Sequence, residues 1–402
     1  MKIGIIKEGK MPPDKRVAFT PKQCKAIITK YPQIDLVVQK SPIRAFNDQE
    51  YIDEGIQLVD KLDDVDVIFG VKEVNIEDLI PDKTYFFFSH TIKEQPYNRE
   101  LLQFILKNNI QLVDYETLTN EKGGRVVGFG RYAGIVGCYN AFLAYGIRNK
   151  TYELKAAHLC IDRKEMEAEL PKVILPKNFK IVLTGLGRVA GGAKEILAKL
   201  NIKEVEPQAF LTQDFSEAVY TQLSVAEYFK KTNGDTFERI EVYNHPERFE
   251  SNFFPYAKVA DMYISCHFWD SNGPKIFSKE EMQSQEFKVE TIADISCDID
   301  DPIPSTIRPS TIADPIYEYD RAELKEVNES SENTITVMAV DNLPCELPKD
   351  ASEDFGAELM RNVFPYLVDD SDNNLIERAT IARNGKLTDN FGYLQSYVDQ
   401  LI

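Results

Sequence analysis

The sequence contains no long apolar run and has fewer basic than acidic residues. No stretch approaches the roughly 18 apolar residues that a membrane-spanning helix needs. The 47 lysines and arginines are outnumbered by 65 acidic residues, so the net charge is −18 and there is no basic stripe to bind nucleic acid or an anionic membrane. Residues 1–7 read as a strand and not as a secretion signal, so we expect a cytoplasmic protein.

Cysteine and histidine are also sparse and are scattered along the chain. The six cysteines show no C-x-x-C spacing, which predicts reduced thiols and neither a disulfide framework nor structural zinc. The four histidines show no metal-ligand spacing either, so we expect no metal site. The cysteines are Cys24, Cys138, Cys160, Cys266, Cys297 and Cys345, and the histidines are His90, His158, His245 and His267.

The length and the alternation of apolar runs predict an α/β protein of two domains. A chain of 402 residues exceeds one ordinary core. Up to about residue 138, short apolar runs alternate with helical stretches, which is typical of parallel strands with short connections. Residues 133–145 are apolar nearly all round and predict a helix buried between layers, here between the two domains. The predicted strands are residues 3–6, 35–39, 67–70, 85–88 and 111–114, and the helices include 21–30 and 98–108.

A glycine-rich turn in the middle of the chain predicts a dinucleotide site. Residues 179–183 read as a buried strand, and Gly185, Gly187 and Ala190 then give G-x-G-x-x-A before a helical pattern. The first glycine allows a tight turn, the second lets the backbone approach a pyrophosphate, and the alanine lets the helix pack on its strand. Glu206 follows at about the 20-residue spacing of an acid that binds a ribose hydroxyl. The alternative is a glycine turn that joins strand to helix with no ligand.

The position of this motif divides the chain into two predicted Rossmann-like domains, each with a parallel sheet, and a cleft between them. Residues 140–345 form the dinucleotide-binding domain, and residues 211–257 read as an elaboration on it. Residues 1–139 form the substrate or catalytic domain. The largely helical tail, residues 346–402, is expected to return to that first domain, since no linker-like composition precedes it. Later strands of the nucleotide domain are predicted at 262–265, 291–295 and 335–340.

Two titratable side chains each lie just beyond a predicted strand of the first domain. Lys72 follows the strand at 67–70, and His90 follows the strand at 85–88. Because parallel strands end at one edge of their sheet, both side chains can converge there as an acid/base pair. A lysine in a partly closed cleft loses its charge more easily, and histidine titrates near neutrality. The alternative is a surface lysine and a histidine that hydrogen-bonds at a strand end.

Three cations near the same strand ends predict a substrate with more than one carboxylate. Arg16 lies in a loop that leads into a helix, Lys93 lies three residues after His90, and Arg125 lies in a glycine-rich segment. The alternative for each is a solvated surface charge. A dinucleotide, an acid/base pair and an anionic substrate together indicate a redox step on an amino or hydroxy acid.

Several blocks resemble the alanine dehydrogenase and transhydrogenase superfamily. Within it, the chain resembles the lysine-forming saccharopine dehydrogenases, and most closely the lysine–ketoglutarate reductase half of the bifunctional aminoadipic semialdehyde synthases. The likeness extends over essentially the full length. The blocks are residues 7–9, 16–21, 88–93, 114–116, 125–130, 205–207, 245–248, 294–296, 341–344, 347–348 and 384–387.

The resemblance implies the reaction saccharopine + NAD(P)⁺ + water ⇌ lysine + 2-oxoglutarate + NAD(P)H. It implies that Lys72 is the base for the secondary amine and that His90 is the acid/base for the water and carbinolamine steps. Glu116 would tune Lys72. The residues that would hold substrate carboxylates are Arg16, Lys93 and Arg125.

The resemblance also implies a nicotinamide cofactor, NAD or NADP. It assigns Asp341, Asn342 and Leu343 to the nicotinamide end of the cofactor. At the adenosine end, the carboxylate of Glu206 would repel a 2′-phosphate and so favours NAD. Reductases with similar residues are associated with NADPH, so the preference stays open. A cysteine found in this glycine loop in some relatives is replaced by Val189, and the glutamate-forming half of the bifunctional enzymes has no counterpart here. The remaining residues assigned to the cofactor are Gly185, Gly187 and Arg188.

Two alternative functions and one alternative substrate remain open. An alanine dehydrogenase-like amino-acid dehydrogenase shares the lysine and histidine pair, and a substrate such as ornithine would leave similar residues. A non-catalytic dinucleotide-binding module is a different class, and the retained Lys72 and His90 speak against it. We expect small-molecule amino acids and oxo acids as partners, no nucleic acid or membrane, and a monomer or small homo-oligomer.

Overall fold

The computed structural model describes residues 1–368 and 374–400. In chain order, the strands are β1 (Lys2–Ile5), β2 (Asp35–Gln39), β3 (Gln57–Val59), β4 (Val67–Phe69), β5 (Thr84–Phe87), β6 (Gln111–Asp114), β7 (Lys180–Thr184), β8 (Lys203–Glu204), β9 (Val219–Leu223), β10 (Phe229–Lys231), β11 (Phe249–Ser251), β12 (Met262–Ser265), β13 (Thr291–Asp294), β14 (Ile316–Asp320), β15 (Lys325–Val327), β16 (Thr334–Met338), β17 (Thr380–Arg383) and β18 (Lys386–Leu387). The helices are α1 (Pro21–Lys30), α2 (Asp48–Asp53), α3 (Arg99–Lys107), α4 (Gly130–Asn149), α5 (Arg163–Ala168), α6 (Arg188–Lys199), α7 (Pro207–Thr212), α8 (Val225–Tyr228), α9 (Arg239–Asn244), α10 (Phe254–Ala257), α11 (Lys279–Gln283), α12 (Pro348–Asn362), α13 (Phe364–Val368), α14 (Leu375–Ala379) and α15 (Gln395–Val398).

These elements form two compact units. Unit 1 consists of Met1–Phe129 and Pro348–Ile402, and unit 2 is Gly130–Leu347. The first predicted boundary, at 139, lies inside α4, a helix that belongs whole to unit 2 because it packs along α6 and the strands of that unit. No helix within the described ranges is both long and apolar enough to cross a membrane.

Unit 1 is built on a sheet of eight strands in the order β18-β17-β6-β5-β4-β1-β2-β3. Strands β1 to β6 pair in parallel, whereas the tail adds β17 and β18 as an antiparallel hairpin beside β6. Strand β17 begins at the residue after α14. Because it pairs antiparallel with β6, it needs no crossover connection of the kind that joins parallel strands. The α/β class is therefore confirmed, but the expected parallel sheet has an antiparallel edge.

Unit 2 has a second eight-stranded sheet, in the order β15-β14-β16-β13-β12-β7-β9-β8. Six strands are parallel, and β14 with β15 forms an antiparallel edge. Strand β9 lies directly beside β7, so the description of residues 211–257 as an elaboration is wrong for this strand. The reason is its composition, because the polar Tyr220, Thr221 and Gln222 mask a strand whose residues are almost all buried.

Close contact between α4 and α6 shapes the core of unit 2. A Cβ at Gly134 would lie 1.8 Å from the backbone oxygen of Val189, and one at Gly192 would lie 1.9 Å from the backbone oxygen of Arg131. Gly134 of α4 and Gly192 of α6 therefore let the two helix backbones touch, and this close burial explains why α4 is apolar nearly all round. In the sequence this composition predicted a helix between domains. The contacts described here lie within unit 2.

An aromatic cluster fastens the tail of unit 1 to its sheet. The ring of Phe355 on α12 stacks on Phe129, with centroids 4.4 Å apart, and meets Tyr115 edge-on at 5.1 Å. Phe355 is fully buried. Beside it, the Val17 N–H donates to Ser352 Oγ over 2.9 Å. The returning tail is thus part of the core of unit 1.

Substituting Phe355 tests this contact. Phe355→Ala should lower the free energy of unfolding by about 3–5 kcal/mol, because it removes a fully buried ring and leaves a cavity in its place. Tyr97→Ala, at a side chain that is 69% exposed, is the matched control. It should change the free energy by about 0.5 kcal/mol or less. Urea denaturation measures both, and equal losses would contradict the packing role of Phe355.

Candidate functional site

Four neighbouring strands of unit 1 end at the same edge of its sheet. Strands β6, β5, β4 and β1 are parallel neighbours in that order. Glu8 follows β1, Lys72 follows β4, His90 follows β5 and Glu116 follows β6. The structure therefore brings Lys72 and His90 to one edge, as the sequence predicts, with Glu116 and Glu8 on either side of the pair.

Lys72 lies half-buried in a loop that Glu8 holds in place. The N–H groups of Val71 and Lys72 donate to the two carboxylate oxygens of Glu8, each over 2.8 Å. Burial lowers the pKa of Lys72 from its ordinary value, the charge of Arg16 lowers it further, and Glu73 opposes the shift. Among the described residues, the Lys72 ammonium donates no hydrogen bond. Lys72 can therefore give up its proton more readily than an exposed lysine.

His90 is held by Glu73, a residue that no motif in the sequence indicates. His90 adopts a left-handed backbone conformation, with φ at 53°, and its Nδ1 lies 2.5 Å from Glu73 Oε1. Lys10 donates to the other oxygen of Glu73 over 2.8 Å. Burial alone would raise the pKa of Glu73, but the hydrogen bonds from His90 and Lys10 lower it to about 2. The only sequence signal was the position of Glu73 next to Lys72.

Arg16 is buried in the loop after β1 and is already paired. Its guanidinium donates to Asp14 through Nε over 3.0 Å and through Nη2 over 2.6 Å, and it lies 4.1 Å from the centre of the Phe129 ring. Only 2% of Arg16 is exposed. Burial would raise the pKa of Asp14, but the charge and hydrogen bonds of Arg16 lower it to about 2. The predicted carboxylate-binding arginine therefore carries its own counter-ion.

Lys93 and Arg125 meet at Glu116. Glu116 Oε1 lies 3.1 Å from Arg125 Nη2 and 3.7 Å from Lys93 Nζ, and both cationic side chains are about half exposed. Glu116 Oε2 is buried and has no hydrogen-bond partner in the described part of the chain. Asp114 orients this corner, since it accepts the N–H of Ser89 and that of Glu116 over 2.9 Å and 2.7 Å. Glu116 thus contacts the predicted substrate cations, and the carboxylates that act on Lys72 are Glu73 and Asp14.

The glycine turn of unit 2 has the geometry of a phosphate cradle. Gly185 has a φ of 97°, and a Cβ there would lie 2.5 Å from the backbone oxygen of Cys266. A Cβ at Gly187 would meet no described atom within 4 Å, so a ligand can approach the backbone. Helix α6 begins at Arg188 with no side-chain cap, which leaves its first N–H groups available to an anion.

His267 lies beside this turn and was missed in the sequence. It follows β12, and its Nδ1 lies 2.8 Å from Oγ1 of Thr184, the last residue of β7. Burial lowers the pKa of His267 to about 4, so the ring is neutral near pH 7. Its Nε2 is buried and has no partner among the described residues. A lone histidine after a predicted strand has no spacing signal that would have distinguished it.

The other predicted cofactor residues are spread over unit 2. Arg188 is exposed at the start of α6, and Glu206 is exposed after the edge strand β8. Asp341, Asn342 and Leu343 follow β16 at the carboxyl edge, where Leu343 is buried in a short 3-10 turn. In residues 1–368 and 374–400, no group of three or more His, Cys, Asp or Glu side chains could hold a metal ion.

The pH dependence of stability tests the role of Glu73. Its pKa of about 2 lies below the ordinary 4.5, so ionised Glu73 stabilises the folded chain above pH 4.5, and this is lost as the pH falls towards 2. Glu73→Gln should therefore unfold more easily than the parent near pH 6, with a smaller difference at about pH 3.

Urea unfolding at a series of pH values measures this difference. Glu77→Gln, at an exposed position a few residues further on, is the control and should show no such dependence. A constant difference for Glu73→Gln across the range would mean that Glu73 is not held ionised by His90 and Lys10.

Comparison with known proteins places these features in a wider context. The family "Alanine dehydrogenase/PNT, N-terminal domain" matches residues 4–136. The chain is 31% identical to the mitochondrial alpha-aminoadipic semialdehyde synthase of Mus musculus, over 95% of this chain and 46% of that protein. The chain therefore spans about half the length of that relative. It is 27% identical to the Candida glabrata saccharopine dehydrogenase (NAD(+), L-lysine-forming), over 87% of each chain.

Solved structures show the same fold at low sequence identity. An L-alanine dehydrogenase superposes with a TM-score of 0.61 at 15% identity, over 99% of both chains. A transhydrogenase from Sinorhizobium meliloti superposes with a TM-score of 0.57 at 12% identity, over 96% of this chain and all of the other. The predicted two-domain α/β fold is thus confirmed.

Proposed function

We propose that this chain, which belongs to the alanine dehydrogenase/transhydrogenase superfamily, interconverts saccharopine with L-lysine and 2-oxoglutarate using a nicotinamide dinucleotide. The observation that carries the proposal is the meeting of Lys72, Glu73 and His90 at one carboxyl edge of unit 1. The likeness to an aminoadipic semialdehyde synthase and to a lysine-forming saccharopine dehydrogenase supports the choice of substrate.

Lys72 suits the base that takes the proton of the secondary amine. Burial and Arg16 lower its pKa, so the neutral amine is easier to form than on an exposed lysine. When the amine nitrogen of saccharopine loses its proton, its lone pair can assist departure of the hydride from the neighbouring carbon. Asp14 and Glu73 keep the local charge balanced while Lys72 changes its protonation state.

His90 suits the acid/base that handles water. Ionised Glu73 can only accept a hydrogen bond, so His90 donates to it through Nδ1 and neutral His90 keeps Nε2 as an acceptor. Nε2 can then take a proton from the water that attacks the carbon–nitrogen double bond of the substrate. It can return that proton when lysine leaves. Glu73 is a positioning residue in this scheme.

The substrate carboxylates fit the exposed corner of the edge. Lys93 and Arg125 are half exposed, whereas Glu116 offsets only part of their charge. Arg16 is buried against Asp14 and acts on Lys72 through its charge. We therefore assign substrate carboxylate binding mainly to Lys93 and Arg125, and give Arg16 a secondary role in it.

The residues of the glycine turn fit a nicotinamide dinucleotide. Gly185 permits the turn, the open space at Gly187 admits a pyrophosphate, and the uncapped start of α6 supplies N–H donors. When bound, the nicotinamide accepts or returns the hydride. Asp341, Asn342 and Leu343 are assigned to its nicotinamide end, at the carboxyl edge after β16.

A cytoplasmic location belongs to the same proposal. All six cysteines lie in described segments and none forms a disulfide, which fits a reducing compartment. Small amino acids and oxo acids remain the proposed partners, and a monomer or small homo-oligomer the proposed state.

Removal of the proposed base tests the chemistry. Lys72→Met should lower kcat for saccharopine oxidation by about 10²- to 10⁴-fold, because general-base assistance is lost. Lys22→Met, at an exposed lysine of α1, is the matched control and should retain the parent rate. Initial rates of dinucleotide reduction measure both variants, and unchanged turnover in Lys72→Met would show that another group is the base.

A substrate panel tests the choice of reaction. Lysine with 2-oxoglutarate should oxidise NADH or NADPH, followed at 340 nm, whereas ammonia with pyruvate should give no turnover under the same conditions. The second pair tests an alanine dehydrogenase-like activity, which the L-alanine dehydrogenase fold makes the main competitor. Ornithine in place of lysine completes the panel. Turnover with ammonia and pyruvate alone would replace the proposed reaction.

A further inference from the structure

The strand order of unit 2 separates Glu206 from the glycine turn. Strand β9 lies between β7 and β8, so β8 ends two strands away, about 10 Å at the usual strand spacing. Within the described residues, strand β8 pairs with the start of β9, where Glu204 faces Tyr220. Tyr220 in turn faces Ile181, near the start of β7 and three residues before Thr184. Glu206 thus leaves the sheet far from the turn, although its spacing in sequence suits a ribose-binding acid.

The end of β9 is instead bonded directly to the turn. The Gly185 N–H donates to the backbone oxygen of Leu223 over 2.9 Å. The side-chain amide of Gln222 donates to the backbone oxygen of Gly185 over 2.8 Å. Strand β9 therefore takes the place beside the first strand that, in a dinucleotide fold, carries the ribose-binding acid at its carboxyl end.

Glu227 is the carboxylate at that end. Ser224 is the N-cap residue just before α8, and Glu227 completes a capping box with it. The Ser224 N–H donates to Glu227 Oε2 over 2.7 Å, and its hydroxyl donates to the same oxygen. Oε1 accepts no hydrogen bond from described residues, so one oxygen of a fixed carboxylate remains for a ligand.

The neighbouring residue confirms that α8 lies over the strand ends. The ring of Tyr228 lies 5.7 Å from that of His267, whose Nδ1 is 2.8 Å from Thr184 Oγ1. The first turn of α8 and the end of β7 are thus joined through His267. The nearby cation Lys194 pairs with Glu204 over 2.8 Å, which offsets its charge.

We infer that Glu227, held by Ser224, faces the adenosine ribose and selects NAD over NADP. Its carboxylate accepts hydrogen bonds from ribose hydroxyls and repels a 2′-phosphate. This inference rests on the proposed dinucleotide site, and it moves the selecting acid from Glu206 to Glu227.

Isothermal titration of NAD⁺ and NADP⁺ into the full chain tests the inference without turnover. In Glu227→Gln, the ratio of the NADP⁺ Kd to the NAD⁺ Kd should fall by about tenfold or more, because the repelling charge is gone. The amide oxygen of glutamine can still accept the Ser224 N–H, which preserves the cap. Glu206→Gln is the matched control, and its ratio should equal that of the parent.

A second variant distinguishes the effect of the Glu227 charge from an effect on folding. Glu227→Asp keeps the charge but withdraws it by one methylene, so NAD⁺ should bind more weakly while NADP⁺ stays weak. Thermal unfolding of each variant checks its fold. A parent that prefers NADP⁺, a shifted ratio in Glu206→Gln alone, or an unchanged ratio in a folded Glu227→Gln would overturn the assignment. A parent that binds neither nucleotide would overturn the dinucleotide site itself, and with it this inference.

Discussion

Parallel pairing of the central strands gathers the carboxyl ends of each sheet along one edge, and the candidate acid/base residues and the glycine turn depend on that geometry. In unit 1, strands β1, β4 and β5 deliver Glu8, Lys72 and His90 to neighbouring positions. The loop that follows each strand needs little length, because the strand itself sets the position. The backbone N–H bonds to Glu8 then fix the loop that carries Lys72.

Charge balance at this edge is local, although the whole chain is strongly acidic. Arg16 is neutralised by Asp14, and Lys10 shares Glu73 with His90. Burial and the charge of Asp14 raise the pKa of Glu8 to about 8, while its two N–H bonds oppose the rise. Among these groups Lys72 has a lowered pKa, caused first by burial and then by the charge of Arg16, and this suits an exchange of protons with an amine.

Local patterns predicted much of the fold and part of the candidate site. Strands such as Asp35–Gln39 and Gln111–Asp114, and helix Pro21–Lys30, have the predicted bounds because their apolar runs and caps are strong local signals. Glu73 and His267 were missed, since nothing in their spacing reveals a partner 17 or 83 residues away. Strand β9 was missed because its polar residues resemble a loop.

The sequence alone determined the two α/β units, the glycine turn before α6, and the placement of Lys72 and His90 each just after its own strand, because these depend on hydrophobic period and short-range sterics. Tertiary structure alone decided which side chains are hydrogen-bonded to each other and which strand lies beside β7. Those outcomes depend on sheet order and on burial, and both arise only when distant segments pack. For that reason, the sequence spacing could point to Glu206, whereas Glu227 could be recognised only once the strand order of the sheet was known.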